Sequence, residues 1–288
     1  MDLTRRIETA LSAAVGRAAA DPAPPKLRGA LRHAVFPGGA RIRPSLCLAV
    51  AGACGDDAPT LTDAVAAAIE LLHCASLVHD DLPCFDDAAT RRGLPAVHRA
   101  YGEPLAVLAG DGLIVAAFET VAQAAQAYPL RLPELITIIA QSVGSPRGLV
   151  AGQAWESERF ADLSAYQQAK TGSLFVAATM AGAVSAGADP GPWRALGDKL
   201  GEAYQVADDI GDAAATPDDL GKPVGCDARH GRPNAVARLG LAGALARLNS
   251  LLQEAADSVP SCKGEAMLRG LVMAHGQRLV PKNLVAAE

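Results

Sequence analysis

The sequence predicts an all-α protein forming a single domain, and three observations carry that expectation. Apolar positions recur at spacings of three and four, as in Leu71, Cys74, Ala75 and Val78, which is the period of one helix face. No stretch alternates apolar and polar residues with period two, so no strand is expected. Half of the 288 residues are hydrophobic but only 4% are aromatic. The core must therefore be built from Ala, Leu, Val and Ile, which suits closely packed helices.

Proline and glycine mark where the helices stop. An amphipathic helix is expected at about 3–20, before Pro22, Pro24 and Pro25, and a second at 26–35, before Pro37-Gly38-Gly39. Further helices are expected at 44–54 and 60–80, the latter strongly apolar through Ile69, Leu71, Leu72, Leu77 and Val78. After Gly93-Leu94-Pro95 come 104–127, 133–143 and 147–158, separated by Pro129 and Pro146. The segments 164–186 and 192–212 flank Asp189-Pro190-Gly191-Pro192, and 234–257 and 263–277 flank Pro260. The polar stretch 213–234 is the candidate mobile lid. No fixed-period repeat is present.

A net charge of -5 and a pI near 5.7 argue against a nucleic-acid surface, which needs clustered Lys and Arg. The six cysteines, Cys47, Cys54, Cys74, Cys84, Cys226 and Cys262, lack the close pairs of a structural zinc site and read as reduced. The N-terminal stretch is amphipathic, without an apolar signal core. Weakly charged runs such as 177–187 fall short of a membrane span. A cytoplasmic location, with no transmembrane segment, is the expectation.

Two aspartate clusters carry the chemistry. Asp208 and Asp212 are four apart, so on a helix they share a face, with Asp209 beside them and Gln205 one turn earlier. Carboxylates crowded in this way repel unless a cation neutralises them, and hard oxygen ligands suit Mg²⁺, above all when substrate phosphates complete its shell. The bland alternative, a solvated acidic helix end, is disfavoured by the apolar neighbours Tyr204, Val206, Ala207 and Ile210.

The first cluster reads HDDLPCFDD, with Asp80, Asp81, Asp86 and Asp87. Pro83 cannot continue a helix, so the chain must bulge between Asp81 and Asp86. Geometry alone leaves Asp86 and Asp87 as rival partners of Asp80. A calcium loop is disfavoured by the missing alternation of oxygen ligands and the missing closing Glu.

Basic residues stand close by. Arg91-Arg92-Gly93 follows the cluster, and His73 lies seven residues before Asp80, on nearly the same face. Arginine presents a planar fork to phosphate oxygens. Gly38-Gly39-Ala40-Arg41-Ile42-Arg43 offers glycines and two arginines at a helix start, a plausible anion site. Lys170-Thr171-Gly172 and Gly221-Lys222 are weak signals singly. Singly, Arg91-Arg92, Lys170 and Lys222 would more often be a solvated face, and His73 a satisfied core residue.

HCASLVHDDLPCFDDAATRRG, GQAWES, KTG and YQVADDIGD followed by LGKPVG together resemble the trans-prenyl diphosphate synthases, in particular the short-chain branch that includes bacterial carotenoid-pathway geranylgeranyl diphosphate synthases. The resemblance runs from about Gly38 to Asn234. It implies an isoprenoid-synthase-type helical bundle around a deep central cavity, with the two aspartate motifs facing each other near its mouth, and a homodimer. It implies that Asp80, Asp86, Asp208 and Asp212 hold Mg²⁺ bridging an allylic diphosphate, with Asp81 and Asp209 in support. Arg91, Lys170 and Lys222 would grip that diphosphate. Arg43, His73 and Arg92 would bind isopentenyl diphosphate, and Gln205 and Thr171 would line the reacting region. The reaction implied is ionisation, condensation and elimination, which needs no protein nucleophile.

The chain departs from the family pattern in places. Ala40 stands where the family usually has Lys, Glu156 where it usually has Asp, and Gly231-Arg232 where it has Gly-Lys; Arg41 is a candidate to compensate for Ala40. The basic C-terminal tail is reduced to Lys282 followed by NLVAAE. In this family the fifth residue before the first motif often sets product length. Here it is Ala75, flanked by Cys74 and Ser76. All three are small, so a geranylgeranyl product is expected over a farnesyl one. A terpene cyclase or head-to-head synthase is disfavoured by Arg91-Arg92 and His73, and a non-catalytic regulatory subunit by the presence of both aspartate clusters.

Overall fold

The computed structural model describes residues 2–158, 166–214 and 234–279. Twelve α-helices appear among them: α1 (Leu3–Ala18), α2 (Pro25–Val35), α3 (Ile42–Cys54), α4 (Pro59–Asp80), α5 (Val97–Tyr101), α6 (Glu103–Ala124), α7 (Leu132–Val143), α8 (Leu149–Ala154), α9 (Ser173–Ser185), α10 (Arg194–Ala214), α11 (Ala235–Asp257) and α12 (Glu265–Leu279). The all-α expectation is met, with one correction. Thr90–Arg91 (β1) and Leu94–Pro95 (β2) pair as a minimal antiparallel hairpin. Arg92 and Gly93 at its tip have φ of +54° and +77°, the left-handed pair that a tight two-residue turn requires. A ladder two residues long is too short to register as alternation, which is why the pattern missed it. Helix α5 was also unforeseen.

The chain forms two compact units. The first runs to Ile139 and adds Ala181–Ala188. Its centre is α4, which buries residues on every side, from Leu61 and Val65 to Ile69, Leu71, Leu72 and Val78. Such a helix needs neighbours all round, and α1, α3 and α6 supply them. Close approach to α6 depends on small residues. A Cβ placed on Gly110 would lie 2.1 Å from His79 Nε2, so His79 occupies the space that any other residue at 110 would fill. Within the same unit Gly182 meets the Cys47 carbonyl, and Arg131 holds Asp57 by two 2.8 Å hydrogen bonds.

The second unit takes Ala140–Met180 and the chain from Asp189 onward. Its core packs Ala203, Val206, Ala207 and Ile210 of α10 against Ala244, Leu248, Leu251 and Leu252 of α11. A second face of α10 lies on the backbone of the segment before it. Cβ atoms on Gly197 and Gly201 would stand 2.5 Å from Val176 Cα and 2.6 Å from Gly172 Cα. These two glycines, one turn apart, let the second aspartate-bearing helix sit against residues 168–176.

Three helices, α4, α6 and α11, are long and apolar enough to cross a membrane by length and composition, contrary to the expectation that no run reaches that length. The apolar surface of α4 is largely consumed by the core of its own unit. The five cysteines among the described residues are free, as expected. Cys226, most of the 213–234 stretch, Arg232 and Lys282 lie outside the described residues.

Candidate active site

In the first unit, α4 ends at Asp80 and the chain turns back on itself. The Asp86 N–H donates to the Asp80 carbonyl at 3.0 Å, Asp87 N–H to Leu82 O at 3.1 Å and Ala88 N–H to Asp81 O at 3.2 Å. This is the bulge that Pro83 dictates. It brings a carboxylate oxygen of Asp86 within 4.8 Å of one of Asp80. Asp87, at φ +46°, points elsewhere: its Oδ1 accepts from Arg99 Nη2 at 2.8 Å and lies 3.7 Å from His98 Nε2. Sequence spacing could not choose between Asp86 and Asp87, and the turn chooses Asp86.

Asp81 is 2% exposed and faces inward. Arg91 Nε donates to its two oxygens at 3.0 and 3.2 Å, and Nη2 adds a third contact. Burial pushes the Asp81 carboxyl up, while Arg91 pulls it back. Burial likewise works against the Arg91 charge, but Asp81, then Asp80 and Asp86, hold that guanidinium above its ordinary value. The β1–β2 turn therefore delivers Arg91 to the acidic motif.

A basic group gathers around His73 on α4. Burial first, then the charges of Arg43, Arg92, Arg91 and Arg41, hold its imidazole well below the usual histidine value. It is neutral at neutral pH, and the arginines supply the positive charge. Arg43, on α3, is itself buried. Arg91 and Arg92 also line a small open pocket together with His33, Cys74 and Asp81.

Arg41 does not take the place of the lysine missing at 40. Its Nε donates to Glu8 at 2.9 Å, Nη1 to Glu70 at 2.7 Å and Nη2 to the Val35 carbonyl at 2.8 Å. All three nitrogens are engaged inside the protein, whereas Ala40 is exposed. Glu8 and Glu70 were missed by sequence reading. Glu70 carried a usable signal: an acid flanked by Ile69, Leu71 and Leu72 in an apolar helix needs a buried partner.

Ala75 is 1% exposed and Cys74 fully buried. Burial pushes the Cys74 thiol up to about 11. Ser76 is half-buried, and its hydroxyl donates to the His73 carbonyl at 2.8 Å, so its polarity is satisfied by its own helix.

In the second unit, α10 presents Asp208 and Asp212 half-buried on one face. Asp209 is 3% exposed. It accepts from Gln205 Nε2 at 3.1 Å and from the Ala235 N–H at 2.7 Å, a carboxylate at the start of α11 where the helix dipole favours it. Thr171 Oγ1 donates to Gln205 Oε1 at 3.2 Å, so the predicted group Thr171, Gln205 and Asp209 forms one chain of hydrogen bonds. Thr171 and Lys170 sit on a π-helical turn, Gln168–Gly172, a distortion common at functional sites. Lys170 Nζ donates to Glu156 Oε1 at 2.6 Å, and Glu156 also accepts from Tyr166 at 2.6 Å and Gln153 at 3.1 Å. Gly152 makes room for the turn, since a Cβ there would lie 2.4 Å from Lys170 N. Lys222 lies outside the described residues.

The middle aspartates, Asp81 and Asp209, are thus tied into the protein, Asp80 and Asp86 bring carboxylate oxygens close together, and Asp208 and Asp212 share one half-buried face of α10. That chemistry fits a magnesium ion.

Comparison with known proteins identifies the family. A profile of the polyprenyl synthetase family matches residues 24–267. The chain is 56% identical to the geranylgeranyl diphosphate synthase of Cereibacter sphaeroides over 99% of each chain, and 51% identical to that of Rhodobacter capsulatus over 97% of each. Its fold is similar to that of the Helicobacter pylori geranyltransferase solved with magnesium and isoprenyl diphosphate, with a TM-score of 0.79, 28% identity, and 95% and 98% of the two chains covered. On these grounds, the chain belongs to the polyprenyl synthetase family.

Proposed function

We propose that this enzyme condenses isopentenyl diphosphate with an allylic diphosphate and releases geranylgeranyl diphosphate. The observation that carries the reading is the pair of opposite sites along α4. The carboxylates of Asp80 and Asp86 converge at its C-terminal end, and arginines surround His73 two turns earlier.

Asp80, Asp86, Asp208 and Asp212 would hold Mg²⁺. Bound there, the ion would neutralise the departing diphosphate of the allylic substrate. Arg91, Lys170 and Lys222 would hold the same diphosphate, with Asp81 and Glu156 keeping Arg91 and Lys170 oriented until it arrives. Arg43, Arg92 and neutral His73 would bind isopentenyl diphosphate, His73 by hydrogen bonding rather than charge. The allylic C–O bond breaks, the isopentenyl double bond attacks the resulting cation, and a proton leaves to regenerate an alkene. The departing diphosphate is the proton acceptor in this scheme. Thr171 and Gln205 would line the reacting region.

A geranylgeranyl product is supported by the small residues Cys74, Ala75 and Ser76 and by the names of the two bacterial relatives. The proposal includes a homodimer, since α6 exposes Val107, Leu108 and Val115 and a second copy would cover that apolar face; sedimentation equilibrium giving a monomer at micromolar protein would remove it. It also includes a cytoplasmic location, which cell fractionation tests.

The deciding assay incubates purified protein with Mg²⁺, labelled isopentenyl diphosphate and the dimethylallyl, geranyl or farnesyl diphosphate in turn, then sizes the products. Twenty-carbon chains are expected. No incorporation with any starter would overturn the reading, and chains ending at farnesyl length would correct the product.

A further inference from the structure

Glu70 is 2% exposed on α4, one turn before His73. A carboxylate buried so deeply is costly unless it is paired. Its Oε1 accepts from Arg41 Nη1 at 2.7 Å and lies 3.8 Å from Arg92 Nη2. Arg92 enters from the hairpin tip, and its Nη1 stands 4.0 Å from Cys74 Sγ. On another side the guanidinium rests on Gly39: a Cβ there would lie 2.8 Å from both Cζ and Nη2. Glu70 and Gly39 therefore confine the same nitrogen of Arg92.

We infer that Glu70, with Gly39 as its steric counterpart, is a positioning residue that sets the Arg92 guanidinium for the diphosphate of isopentenyl diphosphate. The inference rests on the function proposed above. Four guanidiniums act on His73, and like charges at such range disperse unless a counter-charge orders them. Glu70 anchors Arg41 directly, and Arg92 is the hairpin guanidinium that reaches the same carboxylate oxygen. Because Ala40 offers no charge, the placement of Arg92 carries a larger share of the affinity for this substrate. The effect is selective, since Arg91, at the acidic motif, is held by Asp81 instead.

The test compares wild type with Glu70→Gln. The dissociation constant of isopentenyl diphosphate is read by calorimetry without metal, and KM for each substrate and kcat by steady-state kinetics. The expected result is a rise of about tenfold in that dissociation constant and in the matching KM, with kcat and the allylic KM within about twofold. Removing a nearby negative charge favours diphosphate binding by simple Coulomb attraction, so tighter binding would overturn the inference, as would an unchanged KM in a variant that merely melts earlier. Should Glu70→Gln not fold, Gly39→Ala displaces the same guanidinium from the other side and must reproduce the selective rise; an unchanged KM there overturns the inference equally. A wild type that makes no product would instead bring down the proposed function, and this inference with it.

Discussion

Arg99 Nη2 donates to Asp87 Oδ1 at 2.8 Å, so two adjacent aspartates meet different partners. Asp87 is drawn out of the turn, leaving Asp86 to face Asp80. The pair is about half exposed on both sides, so it contributes little to stability by itself. The backbone hydrogen bonds of residues 80–88 do most of the positioning.

From that division, Asp86→Ala and Asp87→Ala should behave differently. Losing a carboxylate of the proposed metal site should lower kcat by about 10³-fold and raise the Mg²⁺ concentration needed for half activity. Losing Asp87 should cost no more than about fivefold. Turnover measured across a magnesium titration distinguishes them, and equal losses would show that the two carboxylates share the site.

Ala75 is buried on α4, one turn and a half before Asp80, and under the proposed function it is the candidate floor for the growing chain. Ala75→Tyr should shorten the main product by at least one isoprene unit while the protein remains helical by circular dichroism. Product sizing from farnesyl diphosphate and isopentenyl diphosphate reads the outcome. An unchanged chain length in the folded variant would move the length-setting residue elsewhere.

With Arg41 saturated by Glu8, Glu70 and Val35 and Ala40 exposed, the lysine position is open. Ala40→Lys should lower KM for isopentenyl diphosphate by about three- to tenfold and leave the allylic KM unchanged. An equal KM would mean that the Gly38-Gly39 turn does not face this substrate.

The depressed His73 gives a pH dependence whose sign can be worked out. The unfolded chain takes up a proton near pH 6.5, and the folded protein takes it up only at lower pH. Between those values the unfolded state binds more protons, so stability falls as pH falls. The melting temperature should drop by about 2 °C per pH unit below 6.5 from this group alone. His73→Gln should flatten that part of the profile. A profile identical to wild type would show that His73 titrates normally.

The helical period, the proline and glycine stops and the spacing of Asp208 and Asp212 were legible because each is a local property of the chain. One face of one helix is written in residues three and four apart, and the all-α class, most helix positions and the family resemblance follow from such patterns. Tertiary structure decided what depends on partners distant in sequence. The turn after Pro83 selected Asp86 over Asp87, with Arg99 holding Asp87 aside. Burial turned Asp81 and Asp209 inward, towards Arg91 and towards Gln205 and the start of α11. Arg41, the sequence's candidate to compensate for Ala40, is committed to Glu8 and Glu70. Spacing along a chain reports which side chains share a face, but a charge becomes ligand or counter-ion only according to what the fold brings against it.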